Sequence, residues 1–356
     1  MQNVQNNIWD SEGHTKDLIS ALQYQMNVSL QYQMNVSLQC IYILGTPFSS
    51  NLGDIAQTIA IKAWCKKYYP THKIIEIPSP KWIGYDLVSL YRTINENMRE
   101  HDKIIIQGGI RISDLYENES FVFKSAISCF SDKQIIVFPT TISFSSEEVA
   151  NQFAEYSDIH GQVTLLARDE YSAKYAKSIF KNTKIMLCPD IVHFLYDKVV
   201  VCDSDIERDV LFVKRDFDKE NLVSSEDCIK IFDDCGYSYK STDTVLSLNP
   251  DFIHGHAEKI LRRELAFYAS SKVVVTDRMH GMIFALLAKT PVIVLPTSTG
   301  KTQNSVSFYS KNVYLCSDIS RLSALLEKVI KTGWVDFSDT EVNALMKEFE
   351  KIKEMV

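Results

Sequence analysis

The chain reads as an α/β protein of two doubly wound, Rossmann-like domains facing a cleft. Three observations predict this: short, wholly apolar runs; amphipathic stretches between them; and a polar interruption after which the alternation restarts. Strands apolar on both faces belong to parallel sheets covered by helices. The strand-like runs are 40–44, 73–77, 103–107, 134–138, 163–167 and 184–188, separated by helix-period stretches at 54–68, 84–100, 118–130, 146–156 and 169–181. Residues 194–208, with the acidic run from Asp203 to Glu207, read as a linker. Runs at 209–213, 272–276, 291–295 and 312–315 then alternate with helices near 225–234, 256–269, 280–288 and 318–331, and a last helix covers 338–353. The expected units are an N-terminal extension (1–39), a first domain (40–200), a second domain (209–335) and a C-terminal helix (336–356).

The extension holds an eight-residue unit repeated in tandem over 22–38, apolar at every even position from Leu22 to Leu38. That is the period of a half-buried strand, although a spacing of four also fits one helix face. No chemistry requires such a repeat, and it reads as a duplication that lengthens one element.

Composition excludes several classes. With 38 Lys and Arg against 45 Asp and Glu, the 356-residue chain carries a formal charge of −7 and no general nucleic-acid footprint. No run nears the ~18 apolar residues of a membrane span. The first fifteen residues lack the pattern of a signal peptide, so a soluble, cytoplasmic protein is expected. Its 8 cysteines form no Cys-x-x-Cys pair and read as reduced residues of the core. Spacing suggests no metal site: His254 and His256 have no third ligand nearby and read as a surface loop.

In doubly wound sheets ligands bind at the loops that follow the strands, so those loops are the place to look. The first runs from Gly45 to Asp54 and leads into a helix that Asn51 or Asp54 can cap, with Gly53 giving a tight turn and free N–H groups. It lacks Gly-x-Gly-x-x-Gly, which weighs against a dinucleotide. Gly108 and Gly109 end the third strand and permit close backbone approach. Arg168 ends the fifth and Asp190 the sixth, and Lys214-Arg215 follow the first strand of the second domain.

The strongest signal is Thr276-Asp277-Arg278-Met279-His280-Gly281, opening an apolar helix that Asp277 is placed to cap. Cations are disfavoured at a helix N-terminus by some tenths of a kcal/mol each. Arg278 and His280 there make sense if an anion completes the site. Gly300-Lys301-Thr302 ends the next strand loop. It is no ATP-binding P-loop, because the position five before Gly300 is Leu295. Lys301 beside Arg278 would still form a two-cation pocket for a small polyanion.

Together these residues resemble the polysaccharide pyruvyl transferase family. The resemblance rests on Asn51-Leu52-Gly53-Asp54 with Gln57, Gly108-Gly109, Arg168-Asp169 with Ser172, Pro189-Asp190, and Lys214-Arg215-Asp216. It continues through the 276–287 block to Gly300-Lys301 with Phe308-Tyr309, so it covers about 40–310. Ile110 stands where the family often has a third glycine, and Thr140 follows Pro139 where it often has Gln.

The resemblance implies a GT-B-like fold, phosphoenolpyruvate as donor and co-substrate, and no cofactor or metal. The product would be a pyruvate ketal across two hydroxyls of one sugar in a bacterial surface polysaccharide or its precursor. It implies an acceptor side on the first domain (Asn51, Gly53, Asp54, Gln57, Gly108, Gly109) and a donor side made of Arg168, Arg278, Met279, His280, Gly300 and Lys301. His280 is the candidate acid/base, since an imidazole exchanges protons near neutral pH; its rival role is to bind phosphate as imidazolium. Asp54 and Asp190 are candidate bases for the acceptor hydroxyls, and Trp82 and Tyr85 candidate stacking partners for a sugar. Family acceptors include lipid-linked sugars, which would bring the protein to the inner face of the membrane, yet no strongly basic amphipathic helix marks such a contact.

Two other readings stand beside this one. A glycosyltransferase using a nucleotide sugar would share the architecture and bind a nucleotide diphosphate. A non-catalytic sugar-binding subunit of a glycan assembly complex would tolerate loss of Arg278 and His280.

Overall fold

The computed structural model describes residues 38–47, 49–79, 85–199, 205–215, 220–309 and 311–356. The tandem repeat and Trp82 lie outside them, apart from Leu38. Two parallel sheets organise the chain. The first has seven strands, β1 (Cys40–Thr46), β2 (Lys73–Pro78), β3 (Lys103–Ile106), β4 (Gly109–Ser113), β5 (Ile135–Ser143), β6 (Val163–Ala167) and β7 (Lys184–Leu187). Their order is β2-β1-β3-β5-β6-β7, with β4 also pairing with β5. The second has β8 (Arg208–Val213), β9 (Tyr239–Thr242), β10 (Ser271–Thr276), β11 (Val292–Val294) and β12 (Val313–Leu315), in the order β12-β11-β10-β8-β9.

Helices α1 (Leu52–Tyr68), α2 (Tyr85–Asn97), α3 (Glu117–Cys129), α4 (Glu147–His160) and α5 (Glu170–Ile179) accompany the first sheet. Helices α6 (Ser225–Asp234), α7 (Pro250–Gly255), α8 (Ala257–Ala269), α9 (Met279–Leu287), α10 (Leu322–Thr332) and α11 (Asp339–Ile352) follow. None of the described helices is long and apolar enough to cross a membrane.

Apolar strands between two helix layers are what the sequence pattern requires, and β1 shows it residue by residue. Ile41 and Ile43 enter one core while Cys40, Tyr42 and Leu44 enter the other. Helices α1 and α9 are buried nearly all round, as a helix must be when it is covered from two sides. Residues of α1 such as Ile55, Ala60 and Trp64 share one apolar cluster with Met282, Phe284 and Leu286 of α9. The two domains therefore meet over a common core. Backbone bonds reinforce the junction: Leu52 N donates to Thr244 O at 2.8 Å, and Leu246 N donates to Ser50 O at 2.9 Å.

Several sequence readings need correction. Gly109 does not end the third strand but begins β4, at φ +101°. A Cβ at Gly108 would stand 2.1 Å from the Pro139 carbonyl oxygen, so the close approach there is to β5. Strand β5 runs on to Ser143, well past the 134–138 run read from the sequence. Strand β9 escaped notice because its polar residues Lys240 and Ser241 are exposed at a sheet edge. The linker cannot start at 194, because Phe194, Leu195 and Tyr196 are buried and a 3-10 helix covers Ile191–Leu195. His254 lies in α7 rather than in a loop, whereas His256 is exposed in the turn between α7 and α8 and stacks on Phe252 with ring centroids 4.6 Å apart. The seven described cysteines are all unpaired.

Candidate active site

In each sheet the winding reverses beside a central strand, between β1 and β3 in the first and between β8 and β10 in the second. Such switch points leave a crevice at the carboxyl ends of the strands. The two crevices face each other and form one cleft of about 390 Å³.

The first-domain wall starts at the N-terminus of α1. Asn51, not Asp54, is the cap: its side-chain oxygen accepts from Gly53 N at 3.1 Å, and its Nδ2 donates to Asp54 Oδ2 at 2.7 Å. The Gly53 amide is thus occupied and not free for a ligand. What Gly53 supplies is space, since a Cβ there would lie 2.1 Å from Nδ1 of His280. Gln107 holds the loop, donating to Asp54 O at 2.8 Å and accepting from Thr58 Oγ1 at 2.6 Å. Arg111, 3% exposed, contacts Gly45 O, Gln107 O, Ser79 Oγ and the Glu119 carboxylate. Burial pushes the Glu119 carboxyl up, against the pull of Arg111 and with the help of Asp54.

The second-domain wall is built on β8 and β10. Thr276 Oγ1 accepts from Arg278 N at 2.9 Å and donates to Val213 O at 2.6 Å, so it ties the strand end to the start of α9. Gly281 lets that hydroxyl approach, because a Cβ would stand 2.5 Å from it. Asp277 does not cap α9. Its Oδ2 accepts from Lys214 Nζ at 2.8 Å in a pair only 2% exposed on each side. Arg278 occupies the N-cap position instead, no side chain caps the helix, and its first turn has no acidic residue. Arg215 faces the cleft and donates from Nε to Asp243 Oδ2 at 2.7 Å.

Lys301 pairs with Glu220, itself held by Thr299 Oγ1 at 2.7 Å. Burial draws the Lys301 ammonium below its usual value. Glu220 opposes this, whereas Arg278 and Arg168 add to it. Three cations therefore converge on one end of the cleft, each beside a carboxylate: Arg168 by Asp190, Arg278 by Asp243 at 3.8 Å and Lys301 by Glu220. An anion bound among them would offset the repulsion that remains between the cations.

Arg168 and Asp190 stand at the junction. Arg168 donates from Nε to Thr141 Oγ1 at 2.7 Å and from Nη1 to Asp190 Oδ2 at 3.1 Å. Asp190 is 1% exposed, and its other oxygen accepts from Val192 N at 3.0 Å. Such a carboxylate is out of reach of an acceptor hydroxyl, which argues against the base role expected for it.

Of the expected residues, the cleft is lined by Asn51, Asp54, Gly108, Gly109, Arg168, Arg278, Met279, His280 and Lys301. Gly53, Gln57 and Asp190 lie behind that lining. Gly300, at φ +72°, shapes the turn before Lys301 and does not line the cleft. Sequence reasoning missed Arg111, Tyr116, Glu119 and Glu220. Arg111 lies just past Gly108-Gly109, where its burial cannot be read from the sequence, while Glu220 belongs to no motif. Among the described residues no three His, Cys, Asp or Glu side chains group as metal ligands.

The polar, cation-rich cleft lies at facing switch points of an α/β fold with two parallel sheets and GT-B-like architecture. The polysaccharide pyruvyl transferase model matches residues 51–299, and the chain belongs to that family. It is 28% identical over 304 residues to General stress protein 30 of Bacillus subtilis, covering 82% of this chain and 85% of that one. Pyruvyl transferase 1 of Schizosaccharomyces pombe is 25% identical over 275 residues, covering 74% and 68%. Two solved structures share the fold. KP1_0663 of Klebsiella pneumoniae has a TM-score of 0.51 at 20% identity, covering 83% of this chain and 98% of that one. The UDP-GlcNAc 2-epimerase of Methanocaldococcus jannaschii, in complex with UDP-GlcNAc and UDP, has a TM-score of 0.50 at 13% identity, covering 88% and 100%.

Proposed function

We propose that the protein moves the pyruvyl group of phosphoenolpyruvate onto two hydroxyls of one sugar, forming a pyruvate ketal in a surface polysaccharide or its precursor on the cytoplasmic side. The observation that carries this reading is the start of α9. An uncapped helix N-terminus bears Arg278 where an acid is favoured, with Lys301 and Arg168 close by. A small ligand with both a phosphate and a carboxylate suits that cluster. Family membership narrows the ligand to a pyruvyl donor.

In this reading Arg168, Arg278 and Lys301 hold the two anionic groups, and the helix N-terminus stabilises the departing phosphate. His280 delivers a proton to the methylene carbon, leaving an oxocarbenium-like centre at the neighbouring carbon. A sugar hydroxyl attacks that carbon and yields its proton to Asp54, which Asn51 orients from 2.7 Å. The bond to phosphate breaks, the second hydroxyl closes the ring, and its proton leaves with the phosphate. The proton taken by Asp54 restores His280, so the cycle balances.

Calorimetric titration with phosphoenolpyruvate, beside UDP-sugars as competitors for the same cleft, tests the reading. Removing one partner of a buried charged contact costs about 2–5 kcal/mol. Arg278→Ala should therefore weaken phosphoenolpyruvate binding by about 30-fold or more. Failure of the wild type to bind it, or wild-type affinity in Arg278→Ala, would overturn the proposal.

A further inference from the structure

Three segments of the chain converge on one carboxylate behind the cleft. Asp190 Oδ2 accepts from Gln57 Nε2 of α1 at 2.9 Å and from Arg168 Nη1 beyond β6 at 3.1 Å, and faces His280 Nε2 of α9 at 3.6 Å. The Asp190 carbonyl contacts His193 Nδ1 at 2.9 Å, and His193 Nε2 meets the hydroxyl of Tyr309, on the segment that follows Lys301. His280 Nε2 is buried and has no hydrogen-bond partner. The acidic group it faces is Asp190, slightly beyond hydrogen-bond range.

We infer that Asp190 is a positioning residue: one carboxylate oxygen aligns Arg168 and His280 with each other across the domain boundary. A planar guanidinium binds anions directionally, so its value depends on how it is held. Thr141 and Asp190 fix two of the five N–H donors of Arg168. The remaining edge is directed by these two anchors. Asp190 also gives the second domain a fixed target on the first, because His280 enters beside it through the space left by Gly53. The inference rests on the proposed function only for the identity of the anion.

Asp190→Asn keeps the shape and removes the charge. Asp190→Asn should weaken phosphoenolpyruvate binding by about 10-fold. Added to Arg168→Gln, it should change binding by less than 2-fold, because its effect passes through Arg168. Unchanged affinity in Asp190→Asn, or a full additional loss on top of Arg168→Gln, would overturn the inference. Solvent exchange of the Arg168 Nε–H, followed by nitrogen-15 NMR without ligand, supplies an independent readout. It should quicken at least 10-fold in Asp190→Asn, and an unchanged rate overturns the inference whatever the donor proves to be. A wild type that ignores phosphoenolpyruvate removes the donor reading alone. If Asp190→Asn does not fold, Arg168→Lys tests the same joint: a lysine cannot hold Thr141 and Asp190 together. Wild-type affinity in Arg168→Lys would then refute positioning.

Discussion

A methyl group at position 53 would sit 2.1 Å from Nδ1 of His280, so a residue of the first domain sets where a side chain of the second can stand. Gly53→Ala should cost about 1–3 kcal/mol through overpacking and displace the imidazole; a lower Tm together with lost turnover would show it, and an unaffected enzyme would not. Asp190 predicts a pH dependence. Burial works against its ionisation, but His280, Arg168 and the Val192 amide outweigh this and hold the carboxyl below its usual 3.8. A depressed folded pKa gives stability that is complete above the unfolded value and disappears as pH falls through the folded one. The stability gap between wild type and Asp190→Asn should therefore be constant above about pH 5 and begin to close below about pH 4, near the usual aspartate value. Denaturant melts across pH 3–7 test this, and a gap that stayed constant over the whole range would count against it. At this scale the cluster of Arg168, Arg278, His280 and Lys301 was legible, since each lies just past a strand. The roles of Gly53 and Asp190 were not, because both depend on a partner in another segment.

Helix α11 shows how an element at one end of the chain serves the other. It starts with a capping box between Ser338 and Glu341 and lays Phe349 and Ile352 into the shared core, both fully buried. Trp64 Nε1 of α1 donates to Phe349 O at 2.8 Å, which locks the helix to the first domain. Phe349→Ala should destabilise the protein by about 3–5 kcal/mol, and Ser338→Ala by about 1 kcal/mol; equal effects in denaturant titrations would contradict this packing. The sequence located this helix by its apolar period. It could not say that the helix returns to α1, because periodicity names a buried face and not its neighbour.

The whole molecule behaves as one unit if the common core is what joins its domains. Ile55, Trp64, Met282 and Phe284 belong to one cluster that spans both sheets, and loops 50–52 and 244–246 exchange backbone bonds. Scanning calorimetry should give a single unfolding transition whose van't Hoff and calorimetric enthalpies agree. Two resolved transitions would mean that the interface contributes little. Such a junction also keeps the cleft formed without ligand, since obligate apolar interfaces resist domain motion.

The sequence alone determined the α/β class, most strand positions and the basic helix start at Arg278, because each is written in local period or local charge. A cation where a helix favours an acid is visible without coordinates. Only the tertiary structure decided that Lys214 and Glu220 neutralise Asp277 and Lys301, that Arg111 and Glu119 belong to the cleft, and that Asp190 lies behind it. The physical reason is that a charge acts at a distance in space. A parallel α/β fold brings together strand ends far apart in the chain, and the partners that set burial, pairing and pKa are chosen there.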